Sequence, residues 1–411
     1  MTQNKLRLAF ISPVFLFPND AGGKIRTTNV LRGLQGGAFE VTLIGVASEA
    51  QESDWTDELA SVCDRFIAWR PNPVKPKWLR AMDLLGQLPV NISADRTAAG
   101  LAAVRVAAET GNYDVIVFDF VHAGVLWPAN LSCASVCFTH NVEAEIFQRH
   151  AEQAKRRAMR WMWASQYLKM QHFERSTLRR FTSVIAVSER DAQHFRHAYG
   201  VTNASAIPTG VDLDFFSWQA PPQIDAAHPP TVVFTGSMNW AANIDGIKFF
   251  LEHVWPGVRA ACPLARLQVV GRDPPAALVL LAAAQDVELT GFVDDVRPYV
   301  HGAHAFIIPL LVGGGTRIKA FEAMAMGCPV VSTAIGMEGL EVSSGEHFLC
   351  ADGAAALIQA LLDLLGDEAL RLKLSQQARR CVEDQFGHRV AAAVFESICL
   401  DAVETHRQAP A

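Results

Sequence analysis

Two doubly wound α/β domains are what this chain predicts, each a mostly parallel sheet with helices on both faces. Three observations predict them. Short apolar runs alternate with helical patterns along the whole chain, as parallel strands joined by crossover helices do. The length, 411 residues, is too great for one core and suits two or three domains. A proline-rich stretch without periodicity, IPTGVDLDFFSWQAPPQIDAAHPP (207–230), divides the alternation into two halves and reads as a linker.

The elements follow in order. In the first half the strand candidates are LRLAFIS (6–12), EVTLIGV (40–46), RFIAW (65–69), DVIVFDF (114–120), ASVCFTH (134–140) and SVIAVS (183–188). In the second half they are TVVFTGS (231–237), RLQVVGR (266–272), DVELTGF (286–292), AFIIPL (305–310) and PVVST (329–333). Each sheet is therefore expected to hold five or six strands. The expected domains are 1–206, the linker 207–230, and 231–383. The tail 384–411 reads as a helix, and the sequence leaves open whether it crosses back to the first domain. No internal repeat is evident.

Composition narrows the function classes. Half of the chain is hydrophobic and 19% is charged, an ordinary globular balance. The net charge of −6 gives no reason to expect a nucleic-acid partner. The 8 cysteines sit mostly inside apolar runs, as small hydrophobes do. The pair in CASVC lacks a second ligand pair at zinc spacing, so no metal site is expected there. The N-terminal apolar run breaks at Pro13, which suits a buried strand better than a secretion signal. No apolar window approaches the roughly 18 residues of a membrane span. A reducing cytoplasm is the expected location.

In open parallel sheets, ligands lie beyond the carboxyl ends of the strands. Two such domains facing each other would make a central cleft. The stretch PLLVGGGTRIKAFEAMAMGCPVVST (309–333) has that placement. Gly313, Gly314 and Gly315 fill the turn after a strand, and glycine lets a ligand approach the backbone. A helix follows, whose first N–H groups and dipole favour an anion. Thr316, Arg317 and Lys319 stand at its mouth. A plain tight turn with solvated bases is the simpler alternative, but strand, glycines, two bases and helix together point to a diphosphate cradle. The spacing is not that of a P-loop. Glu322, one turn in, is placed to accept the two hydroxyls of a ribose, or is a surface acid of the helix.

Other residues fall at strand ends too. His140 and Asn141 close ASVCFTH, where the histidine either faces the ligand or caps the next helix. NDAGGKIRTTNVLRGL (19–34) follows the first strand, and Gly22, Gly23, Lys24 and Arg26 read as a loop serving acceptor or phosphate. It lacks the full dinucleotide fingerprint. The segment 155–180 is helical, basic and carries Trp161, Met162 and Trp163. Such a helix either lies on an anionic membrane or packs on the core with a charged outer face. Arg272 ends a strand. Asp294, Asp295 and Arg297 follow another and read as capping and ion-pairing groups.

The motifs in order also resemble a known family. GGGTRIKAFEAMAMGCPVVSTAIGMEGL resembles the donor-site signature of retaining glycosyltransferases with two Rossmann-like domains, the GT-B group 1 type. IPTGVDLDFF is similar to that family's hinge. FTGSMNWAANIDGIKFF, LQVVGRDPP and LTGFVDDVRPYV resemble its next segments. FTHNVEAEIF resembles the sugar transferases associated with bacterial exopolysaccharide export loci. The resemblance implies a nucleotide-sugar donor in the second domain. Gly313, Gly314, Gly315 and Thr316 would meet the phosphates, Glu322 the ribose, and the backbone around Val293 the base, with Gly236, Ser237 and Arg272 nearby. His140 would stand beside the transferred sugar. The chain departs from the family in two places. A basic pair usual after the first strand of the second domain is replaced by Gly236, Ser237 and Ala242. The first of two family glutamates falls on Gly314. Arg317 and Lys319 are expected to restore the missing charge from the other side.

The resulting expectation is a GT-B glycosyltransferase that moves a sugar from a nucleotide-diphosphate sugar to a glycan or lipid-linked acceptor with retention. His140, Arg317 and Lys319 carry the chemistry, without cofactor or metal. The setting is exopolysaccharide or other glycoconjugate synthesis in the cytoplasm, with the inner face of the membrane as a place of contact. A nucleotide-sugar epimerase and a non-catalytic nucleotide-sugar sensor are the alternatives.

Overall fold

The computed structural model describes residues 5–19, 22–72, 83–84, 86–128, 130–154, 156–226, 228–238, 240–312 and 318–408. The chain forms two compact units, one of residues 1–210 with 388–411 and the other of residues 211–387.

The first unit is built on seven parallel strands: β1 (Leu6–Ser12), β2 (Phe39–Val46), β3 (Arg65–Trp69), β4 (Val115–Asp119), β5 (Ala134–Phe138), β6 (Ser183–Ala186) and β7 (Ala204–Ala206). Their order is β3-β2-β1-β4-β5-β6-β7. Successive side chains of a strand point to opposite faces, and both faces of this sheet are buried. Leu8, Phe10, Val115 and Val117 join one core with Val30 and Leu34. Ala9, Ile11, Ile116 and Phe118 join the other with Met170 and Phe195. The helix His388–Gln408 belongs to this unit, with Phe395 packed between Phe10 and Phe138 at ring distances of 6.4 and 5.3 Å. The seventh strand, β7, lies beyond the expected five or six. Its three small residues, ASA, carry too little apolar pattern to read from sequence.

The second unit carries six parallel strands: β8 (Thr231–Thr235), β9 (Arg266–Val270), β10 (Glu288–Gly291), β11 (Ala305–Ile308), β12 (Val330–Ser332) and β13 (Leu349–Cys350). They are ordered β10-β9-β8-β11-β12-β13. Val232, Phe234, Leu267 and Val269 face one core around Trp255 and Leu357. Val233, Val270, Phe306 and Ile308 face the other around Phe321 and Met324. The stretch 207–230, expected as a linker, is instead divided between the units. From Val211 on it counts with the second unit, where the Trp218 indole donates to Ser375 Oγ at 3.0 Å and Gln219 N to Met326 O at 3.2 Å.

In each sheet the strand order turns about a central pair, β1 and β4 in the first, β8 and β11 in the second. Chains that leave such a pair diverge and open a crevice at the carboxyl ends. Among the described residues, no helix is long and apolar enough to cross a membrane.

Candidate active site

In the first unit, three strand ends and a helix bring polar side chains together where β1, β4 and β5 end. Asp119 closes β4 and is fully buried. Its carboxylate accepts from Ser12 Oγ at the end of β1 (3.1 Å) and from Thr27 Oγ1 on the helix Gly22–Leu34 (3.0 and 3.1 Å). His140, two residues beyond β5, places Nε2 2.8 Å from Asp119 Oδ1. Its ring lies 4.1 Å from that of Phe120 and 4.5 Å from that of Phe138. Burial lowers the pKa of His140 below its ordinary value, against the Asp119 bond that raises it; Arg26 adds to the lowering. The ring is therefore neutral near pH 7. Its Nδ1 is buried and finds no hydrogen-bond partner among the described residues.

The backbone here is shaped for this contact. Phe120 follows Asp119 with φ of 62°, the left-handed region that a bulky residue adopts only at a cost of order 1–3 kcal/mol. Its ring lies against Gly23, where a Cβ would come within 2.7 Å of Phe120 Cζ. Gly22, Gly23, Lys24 and Arg26, expected as a loop, form the first turns of the helix Gly22–Leu34. Glycine at 23 serves close packing against Phe120. Lys24 Nζ donates to Pro18 O at 3.2 Å. Arg26 is buried, and its pKa is drawn down to about 10 by that burial, against the field of Asp191.

His140 does not cap the next helix. The helix Glu143–Gln153 is held at its start by Glu174, which accepts from Glu143 N at 2.8 Å and Ala144 N at 3.3 Å. Glu174 also accepts from the Tyr199 hydroxyl at 2.8 Å, and burial pushes its carboxyl up to about 8. Glu143 in turn faces His122, which lies between it and Asp95 at 3.5 and 3.4 Å. Burial works against the charge on His122, but the two carboxylates outweigh it and raise its pKa to about 9.

In the second unit the polar centre lies where β8 ends. Lys319, on the helix Ile318–Ala325, donates from Nζ to Asn243 Oδ1 at 2.9 Å and sits 4.2 Å over the Phe234 ring. Asn243 donates to Ser237 O at 2.8 Å. A Cβ at Gly236 would come within 2.8 Å of both Lys319 Nζ and Asn243 Nδ2. Glycine is what lets the ammonium settle on this turn. The Ser237 hydroxyl oxygen is buried and has no hydrogen-bond partner among the described residues. Glu322 shares the Lys319 helix; burial raises its carboxyl to about 7, against the lowering field of Lys319. An ammonium, an unengaged hydroxyl and a helix start make a place for an anion.

Of the other expected site residues, Arg272 is exposed, and its carbonyl accepts from Met238 N at 2.9 Å. Val293 is half-buried after β10. Gly313, Gly314, Gly315, Thr316 and Arg317 lie outside the described residues. Asp295 pairs with Arg297 at 2.8 Å. The sequence reading missed Asp119, Ser12, Thr27 and Asn243. A signal existed for Asp119, an acid at the carboxyl end of an otherwise apolar strand. Asn243 gave none, because nothing in the sequence around this buried helix asparagine announces a lysine partner far along the chain.

Residues 21–215 match the family described as Glycosyltransferase Family 4, and residues 229–367 the family described as Glycosyl transferases group 1. A Klebsiella pneumoniae relative described as an uncharacterized 44.6 kDa protein in the cps region is 29% identical over 140 residues, covering 30% of this chain and 34% of the relative. The match thus spans about a third of that relative. Sucrose-phosphate synthase from Thermosynechococcus elongatus is similar in structure, with a TM-score of 0.63 and 20% identity over 98% of this chain and 99% of that one. HepE of Anabaena, in complex with UDP and glucose, gives 0.62 and 14% over 98% and 100%. At these identities the structures speak for the fold alone. The chain belongs to the GT-B glycosyltransferases, with a family 4 first half and a group 1 second half.

Proposed function

We propose that the chain transfers a sugar from a nucleotide-diphosphate sugar to a glycan or lipid-linked acceptor, with retention of anomeric configuration. The observation that carries this reading is the seat of Lys319 over Gly236 and beside Asn243. It returns a cation to the turn after β8, where Ser237 and Ala242 leave none. The donor diphosphate would lie there, with Gly313, Gly314, Gly315, Thr316 and Arg317 completing its cradle and Glu322 accepting from the ribose. Charge building on the departing diphosphate is met by Lys319, Arg317 and the helix start, so no metal ion is required. His140 would orient the transferred sugar in the first unit, where the acceptor binds. The UDP and glucose held by the similar HepE structure support a nucleotide-sugar donor.

Retention is what the resemblance implies, and two features of the sequence support it. A covalent route needs a carboxylate at the anomeric carbon, and Gly314 stands where the family often has one. Inversion needs a base beside the acceptor hydroxyl, and the resemblance places His140 beside the donor sugar instead. Same-face attack with the leaving phosphate taking the proton remains.

The place of this reaction would be exopolysaccharide synthesis, on the resemblance of FTHNVEAEIF and the relative from a cps region. A lipid-linked acceptor suits the helix Arg157–Leu178. It buries Met170 and Phe173 on one face and exposes Trp161 (76%) and Leu168 (62%) on the other, among arginines. Such a face fits the anionic inner surface of a membrane.

The test is incubation of the purified chain with nucleotide sugars and a mixed acceptor pool. Release of nucleotide coupled to a gain of one glycosyl mass on the acceptor supports transfer. Isomerised donor would make it an epimerase, and binding without turnover a sensor.

A further inference from the structure

We propose that Asp119 is a positioning residue: it holds the His140 ring with the proton on Nε2 and so presents Nδ1 as a hydrogen-bond acceptor for a sugar hydroxyl. The inference rests on the transferase reading for the identity of that hydroxyl, and on the geometry alone for the proton.

A carboxylate has only acceptor sites. Asp119 gathers Ser12 Oγ, Thr27 Oγ1 and His140 Nε2 within 3.1 Å. The shortest of these contacts, 2.8 Å, is satisfied when Nε2 carries a hydrogen. Thr27 Oγ1 also lies 3.4 Å from Nε2, but its one proton is drawn to the nearer carboxylate. The tautomer is thus set by the acid behind the ring. At Nδ1 the choice is between a lone pair and a second proton. A proton there would charge a ring flanked by Phe120 and Phe138 and leave a buried donor without an acceptor among the described residues. Burial and the neighbouring Arg26 both oppose that charge, while Glu143 and Asp119 favour it less strongly than burial resists. A neutral ring with a bare Nδ1 is what remains.

The consequence is chemical selectivity. An acceptor nitrogen takes a hydroxyl hydrogen and repels a phosphate oxygen. This face of the first unit therefore reads sugar hydroxyls, and diphosphate recognition falls to the second unit.

The test is nitrogen NMR of the full chain with ¹⁵N-labelled histidine, the His140 signals being assigned by their loss in His140→Gln. The expected result without ligand is a protonated Nε2 and an unprotonated Nδ1 at neutral pH. Nδ1 should then shift on adding a nucleotide sugar or a sugar acceptor, tried separately, but not on adding nucleoside diphosphate. In Asp119→Asn the proton should spread over both nitrogens, and turnover should fall at least about tenfold while the donor KM changes little. Thr27→Val, which leaves the carboxylate, should keep the wild-type tautomer. A ring protonated on Nδ1 in the wild type, or an unchanged tautomer and turnover in Asp119→Asn, overturns the proposal. If Asp119→Asn does not fold, the wild-type spectrum still decides. Because that spectrum is read without substrate, a chain that transfers no sugar would defeat the transferase reading and leave the tautomer result standing.

Discussion

Replacing Lys319 by methionine removes a charge and keeps most of the stem that covers Phe234. The ammonium now donates to Asn243 Oδ1 at 2.9 Å and sits 4.2 Å from the Phe234 ring centre. Losing the first contact, whose donor is charged, costs about 1.5–3 kcal/mol of stability, and losing the second about 0.5–1 kcal/mol. A methionine sulfur on the same ring returns about 0.3–1.5 kcal/mol. Folding should therefore suffer by about 0.5–4 kcal/mol. Binding should suffer selectively. A charged hydrogen bond to a phosphate contributes about 1.5–3 kcal/mol, so the affinity for a nucleoside diphosphate should fall by about tenfold to a hundredfold. Titration calorimetry with a nucleoside diphosphate and its parent nucleoside reads the difference. The nucleoside should bind nearly as before. Equal losses for both, or no loss for either, would refute the idea that Lys319 is the cation of the cradle.

Glu322 should make binding depend on pH. Its carboxyl, raised from 4.5 to about 7, accepts fully only above that value, so nucleotide affinity should rise between about pH 6 and about pH 8. By linkage, Glu322's own share of stability is full below 4.5 and is lost as pH rises through about 7; Glu322→Gln should flatten both profiles. His140→Ala should lower kcat by at least about tenfold and leave donor affinity nearly intact, since its contacts matter most in the transition state; a normal kcat would return His140 to a packing role. Transfer should persist in excess chelator, and a complete loss restored by magnesium or manganese would assign the Asp294–Asp295 loop a metal.

How much of this was legible in sequence depends on range. β1 is legible to the residue, because Leu6 and the run Leu8–Ile11 are apolar on both faces of a strand that the fold largely buries. Short strands escaped for the opposite reason: β7 and β13 have three and two residues, and pairing rather than composition makes them strands. The glycines at 22 and 23 looked like a loop because glycine is rare in helices. Only the Phe120 ring, brought in from the end of β4, explains Gly23 inside one. His140 was found from its place after a strand. Its partner Asp119 was overlooked, since a bond across 21 positions leaves no local pattern. Lys319 was expected to replace a missing charge near Ser237, and the fold brings it there through Asn243, which no spacing announced.

The measurement that bears most directly on the account is the configuration of the product. The purified chain, given an α-linked gluco-configured donor and the acceptor it glycosylates, yields a new anomeric proton whose coupling constant reports its orientation by NMR. Same-face attack, with Lys319 steadying the leaving diphosphate and His140 holding the sugar, predicts an α product. A β product would contradict both the mechanism and the place given to His140.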